Sequence, residues 1–182
     1  TTIGTAYDPA IAEEKTTKRV VKINGNIVNS QTALNDYLTI SWLTPQMDRL
    51  FVDGSSQRRR FLDRLVFAFD ALHSKRVNRY NYALRERRKL LKSWSQDTSW
   101  LEALENSLAE MGVAIVVTRQ DLIRRLSPII EKSMGLFPGA IISIEGKIET
   151  WLKDCSALDV EQKFKKELKQ SRQNRLSDPN DI

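Results

Sequence analysis

From Leu101 onward, apolar residues recur by threes and fours with one step of seven: Leu101, Leu104, Leu108, Met111, Ile115, Leu122, Leu126 and Ile129. This seam predicts a long α-helix, opened by a capping box of Ser99 with Glu102, bent near Pro128, and ended by Gly135 and Pro138. Most of the stability of such a helix comes from packing its apolar face, so a partner of similar length is required. Val77, Tyr80, Leu84 and Leu91 repeat at the same spacing just upstream, separated from the seam by the polar break "SWSQDTS". Two long helices joined by so short a link run antiparallel, as a helical hairpin.

Upstream of the hairpin the chain is of another kind. Ile3 to Tyr7 and Lys18 to Ile23 read as strands, "AIAEEKTTK" as an exposed loop, and Asn24-Gly25 as the two-residue turn of a β-hairpin leading into Ile27-Val28. "SQTALNDYL" suggests a short helix capped by Ser30, and Leu38 to Leu43 a further strand. Strands this few and short do not make a self-sufficient sheet, so a completing part is expected elsewhere.

Residues 44–63 join the two kinds of structure. Pro45 suits the first position of a helix, Gly54 stops it, and Ser55 or Ser56 caps the next. Phe61, Leu62, Leu65, Val66 and Phe69 give that next helix an apolar stripe, with Asp70 as a cap before the following one. Beyond the hairpin, "AIISIEG" reads as a return strand and "KIETWLKDC" is open between strand and helix. Residues 158–175, with Leu158, Phe164 and Leu168, form a solvated amphipathic helix. The expected class is therefore mainly α with a small N-terminal β portion (α+β): residues 1–43 in a sheet lobe, 44–135 in a helical lobe, and 136–182 as a return strand and C-terminal helix.

Several chemistries are excluded. One cysteine, Cys155, forms no intramolecular disulfide, and one histidine, His73, leaves no Cys/His zinc cluster. His73 has no triad grouping near it and reads as a helix-surface or cap residue rather than a catalytic base. Glu13 and Glu14 sit in a loop without the apolar surroundings that would split their pKa values. The seven glycines are scattered, matching neither G-x-x-x-x-G-K-[ST] nor G-x-G-x-x-G. No run approaches a membrane span, and a chain starting Thr-Thr suggests an excised piece. The chain alone reads as non-catalytic, without a bound metal or cofactor.

The charge is informative by its placement. Residues 54–92 carry twelve Lys/Arg against three Asp/Glu, although the whole chain has a net charge of only +6. Concentrated positive charge of this sort implies a polyanionic partner, nucleic acid first and acidic protein second. Projected at about 100° per residue, Lys75, Arg79, Arg85, Lys89 and Lys92 lie opposite the apolar arc of their helix, with Tyr82 among them and Glu86 as the one acid. A basic stripe around an aromatic tracks a phosphate backbone and offers a ring for stacking. Arg87 and Arg88 flank the seam and read as snorkelling side chains. The alternative is a solvated face that serves solubility.

The string "WLTPQMDRLFVDGSSQRRRFLDRL", continued by "YALRERRKLL", resembles the middle of the RecF family, recombination mediators that are ABC-type ATPases related to SMC proteins. The resemblance implies a nucleotide-binding lobe with an inserted helical lobe, residues 1–43 being strands before the insert and "LKQSRQNR" the approach to the signature region. Walker A, signature and Walker B motifs are absent from this chain, so ATP and magnesium are expected only for the complete protein. By the same resemblance Gln46, at the junction of the lobes, is nucleotide-linked; the alternative is an ordinary polar residue early in a helix. Arg58, Arg59, Arg60 and Asp63 stand in the family motif. The arginines could contact DNA phosphates, pair with carboxylates of the other lobe, or pair internally as ordinary helix surface, Arg60 with Asp63 or with the neighbours of Arg64; a lobe-to-lobe or lobe-to-nucleotide role is the first choice.

The resemblance further implies a cytoplasmic DNA repair and replication protein that binds DNA in an ATP-dependent manner. It also implies RecR and RecO as partners in loading RecA at gaps, and ATP-driven homodimerisation. A helical protein-interaction module with a basic face for an acidic partner, or the helical lobe of another SMC-like ATPase, are the rival readings.

Overall fold

Alternating burial organises the N-terminal strands. In a computed structural model, Val21 and Ile23 are buried while Lys22 between them is exposed, the period of two that a pleated strand imposes. The structure describes residues 1–7, 19–28, 33–34, 37–38, 40, 42, 44–93, 97–132 and 135–172, which form two compact units, Thr1–Gly54 and Ser55–Ile182.

The first unit holds a three-stranded antiparallel sheet of β1 (Ile3–Tyr7), β2 (Arg19–Ile23) and β3 (Asn26–Val28), in the order β1-β2-β3. Ile3 faces Ile23, and Val21 faces Val28. Asn24 and Gly25 take φ of 51° and 85°, the paired left-handed conformation that matches a tight turn to the twist of its strands. The Asn24 side chain also accepts a hydrogen bond from the Thr2 amide at 2.9 Å, which ties β1 to the turn. Pro45–Arg49 forms a short 3-10 helix, entered from extended Thr44. Leu38, Ile40 and Trp42 lie outside any strand, against the expected strand from Leu38 to Leu43; a strand needs a neighbour to take its hydrogen bonds, and β-branched composition does not supply one. The expected Ser30 cap and the loop at "AIAEEKTTK" fall outside the described residues.

The second unit is helical: α1 (Ser55–Phe67), α2 (His73–Lys92), α3 (Thr98–Ile130), α4 (Lys147–Trp151) and α5 (Ala157–Ser171). Helices α2 and α3 form the expected hairpin, joined through Tyr80, Ala83 and Leu84 on one side and Leu104, Leu108, Met111 and Ile115 on the other. Helix α3 starts differently from the expected capping box. Asp97 is the cap, its Oδ1 accepting from the Trp100 amide at 2.9 Å, so Ser99 already lies inside the helix. The helix continues through Pro128 to Ile130, but its seam closes at Leu122; Leu126 is half-buried and Ile129 exposed.

Helix α3 buries two faces because α5 covers the second. Val160, Phe164 and Leu168, spaced by four, pack into the common core, while Leu158, off that stripe in the first turn, is exposed. Ser156 caps α5, its Oγ accepting from the Asp159 amide at 3.2 Å. The stretch 140–146 is irregular rather than the expected strand, and the open reading of "KIETWLKDC" resolves to a helix at Lys147–Trp151. The mainly α, α+β class stands.

Candidate functional site

The basic residues of α2 divide by the face on which the helix places them. Lys75, Arg79, Tyr82, Arg85, Lys89 and Lys92 are all exposed, and Tyr82 shows half of its surface to solvent at 50%. Lys92 stands seventeen positions after Lys75, so the row runs about 26 Å along the helix. Arg79 Nε donates to Ser107 Oγ on α3 at 3.1 Å, which holds its guanidinium near the surface of the hairpin, and Lys89 pairs with Glu86 at 2.8 Å. Both interactions sit at the solvent boundary and yield readily to a stronger anion.

Arg87 belongs to the interior, against the expectation that it snorkels. It is 2% exposed; its Nε donates to Glu105 Oε1 at 3.1 Å and its Nη2 to the Leu168 carbonyl at 2.7 Å. Arg172, beyond α5, donates to both oxygens of the same Glu105, whose bond to it raises the Arg172 pKa.

The arginine triplet opens α1. Arg58 and Arg59 are half-buried and Arg60 is exposed; Arg59 Nη1 donates back to Ser55 Oγ at 3.1 Å. The internal pairing of Arg60 with Asp63 does not occur. Asp63 is buried and turned toward α2 and α3, where Oδ1 accepts from His73 Nε2 at 2.8 Å and Arg119 Nε at 2.9 Å, and Oδ2 accepts from Arg119 Nη2 at 3.0 Å. Burial alone would raise the Asp63 pKa, but the bonds from His73 and Arg119 outweigh it and hold the carboxyl below its ordinary value. His73 is therefore no surface residue. It is fully buried, tilted against Phe67, with Nδ1 2.9 Å from Thr118 Oγ1.

Above this cluster α1, α2 and α3 enclose an open cleft of about 440 Å3, lined by Arg59, Arg60, Arg85, Arg88 and Arg119 with Asp63 as the acid. Sequence reasoning misses Arg88 and Arg119 as its walls; Arg119 stands four residues after Ile115 and three before Leu122, a charge set within an apolar seam. Gln46 is the second residue of the 3-10 helix in the other unit, and its side chain is not among those described. Among the described residues, no group of histidine, cysteine, aspartate and glutamate could hold a metal ion, and no helix is long and apolar enough to cross a membrane.

The chain is 44% identical over 156 residues to the DNA replication and repair protein RecF of Brucella suis biovar 1 (strain 1330), a match covering 85% of this chain and 40% of that protein. It is 37% identical over 172 residues to RecF of Rhizobium rhizogenes (strain K84 / ATCC BAA-868), covering 93% and 45%. The chain is a RecF-like segment. In fold, it matches a solved structure of the recombination mediator protein RecF-ATPrS in the RecFOR pathway with a TM-score of 0.73 at 23% identity, over 87% of this chain and 44% of the other. A RecF-ATP structure of the same pathway matches with a TM-score of 0.60 at 21% identity, over 88% and 45%. No family model matches. The resemblance to RecF read from "QRRRFLD" and its surroundings is thus borne out, and the RecF-like chain spans less than half the length of these relatives.

Proposed function

We propose that this chain is the helical lobe, with adjoining strands, of a RecF-type protein that binds DNA in an ATP-dependent manner and helps load RecA at gaps. Residues 44–135 are the helical lobe in this reading, and residues 136–182 lead toward an ATPase lobe that carries nucleotide and magnesium. The exposed row of α2 is the observation that supports it most: Lys75, Arg79, Arg85, Lys89 and Lys92 around Tyr82 present cations along one helix face with a ring between them. Phosphates follow such a row by charge, and a base stacks on the ring. Gln46 links this lobe to nucleotide, Arg58 faces the ATPase lobe, and RecR, RecO and a second copy of the complete protein are its partners. The chain itself has no phosphate-cradling loop and neither binds Mg-ATP tightly nor turns it over.

A fluorescence-anisotropy salt series on the complete RecF-type protein with Mg-ATP tests the row, because DNA binding depends on ATP in this reading. Arg79→Glu with Lys89→Glu is expected to weaken binding about equally across DNA sequences. The slope of log K against log salt should flatten by ~0.7–0.9 for each phosphate that the variant no longer neutralises. An unchanged affinity and slope would leave the row as a solvated face.

A further inference from the structure

The cleft between α1, α2 and α3 has a composition that ordinary helix packing does not require. Five arginines line it, Arg59, Arg60, Arg85, Arg88 and Arg119, and Asp63 is the one carboxylate among the lining residues. That carboxylate is already spent, since both of its oxygens accept from Arg119 and one also from His73. Asp63 and Arg119 cancel as a fixed pair, which leaves Arg59, Arg60 and Arg85 to set the field at the opening. The floor is apolar, made by Val77, Leu84 and Ile115, which weakens solvent screening inside the cleft. Tyr80, also in the wall, is buried, and burial pushes its phenol pKa far up, so it adds no negative charge.

We infer that this cleft is a phosphate-binding site in which Arg59, Arg60 and Arg85 close on one phosphate group. The inference rests on the nucleic-acid reading of α2 and sharpens it: Arg85 belongs both to the exposed row and to the cleft wall, so a strand lying along α2 brings a phosphodiester to the opening. Phosphate fits better than carboxylate. One arginine fork satisfies a carboxylate, as Arg119 does with Asp63, whereas the tetrahedral oxygens of a phosphate accept forks from several directions. Arg119 is held by Asp63 and is not itself a ligand.

The test uses the complete RecF-type protein with Mg-ATP, a fluorescein-labelled oligonucleotide and, separately, inorganic pyrophosphate. Arg59→Gln with Arg60→Gln is expected to weaken oligonucleotide binding about tenfold or more, as loss of charge-assisted hydrogen bonds does, with an unchanged helical circular dichroism spectrum. Arg59→Lys with Arg60→Lys keeps the charge but loses the forks, and should recover only part of that affinity. In arginine Nε–H NMR spectra, the signals of Arg59, Arg60 and Arg85 should shift with either ligand. If the α2 variant weakens DNA binding while the cleft variant does not, the cleft inference is overturned and the DNA reading stands. If no oligonucleotide binds but pyrophosphate shifts the three arginines, the DNA reading fails and the phosphate site is supported as one for free polyphosphate. Silence of those three signals toward both ligands overturns the site.

Discussion

Two buried polar clusters in the helical unit have the same plan and different surroundings. Each sets one carboxylate between two nitrogen-bearing side chains and ties three helical segments together: Asp63 with His73 and Arg119 across α1, α2 and α3, and Glu105 with Arg87 and Arg172 across α2, α3 and the end of α5. In the Glu105 cluster the Glu105–Arg87 pair is sealed, at 0% and 2% exposure, and only Arg172 reaches the surface, whereas Asp63 itself borders an open cleft. A buried ion pair adds little net stability because desolvation offsets most of the attraction, yet removing one partner strands a charge. A buried carboxylate held from two sides thus keeps a helix in place in the interior, and clears a neighbouring surface of negative charge when it borders a cleft.

The largest expected effect follows from the sealed cluster. Glu105→Ala should cost ~3–5 kcal/mol in urea denaturation, since Arg87 then has no counter-charge in the interior. Arg87 would still reach the Leu168 carbonyl, and a cost near zero would mean that water enters and the cluster is not sealed. Asp63→Asn should cost less, ~2–4 kcal/mol, because the cleft lets solvent reach the released Arg119. Equal costs for the two substitutions would break the comparison.

Acid probes the Asp63 cluster directly. The folded pKa of Asp63 lies below its unfolded value, so its contribution to stability is fully present above the ordinary carboxylate range, and is lost as pH falls through the folded value. The stability difference between the native chain and Asp63→Asn should therefore narrow on acidification below about pH 4. A constant difference, measured by denaturation at several pH values, would remove the charge of Asp63 as its source. The smallest effect is expected on α5, where Leu158→Ser should change stability by no more than ~0.5 kcal/mol, because Leu158 points away from the face that Leu168 buries.

Periodicity explains what can be read from the sequence. The α2–α3 hairpin and the Asn24-Gly25 turn are specified by local spacing and local backbone preference, and both form as expected. The strands expected at 38–43 and 140–146 rest on composition alone, which says nothing about a hydrogen-bonding neighbour. His73 misleads for a related reason, because its partners Asp63 and Thr118 lie 10 and 45 residues away. A signal for the clusters does exist. Arg87, three residues after Leu84, and Glu105, three before Leu108, occupy apolar seam positions with opposite charges, as do Asp63 and Arg119 in their own helices. Charges at seam positions seldom persist without a partner, so pairing opposite signs across the hairpin finds them. The cleft is less legible, since it depends on how α1 lies against α2 and α3, which no spacing records.

Helix α3 touches each of the other four helices of its unit, and this fixes the order in which parts of the unit can come apart. Helix α5 can detach and expose one side of α3 while α2 still covers the other, so its amides should exchange through an opening smaller than global unfolding, though one that must break the Arg172–Glu105 pair. The amides from Leu108 to Val116 have no such private route. Their protons exchange with solvent only when the whole unit unfolds, and their exchange rates therefore report its global stability, while those beyond Leu122 register only the fraying of an end.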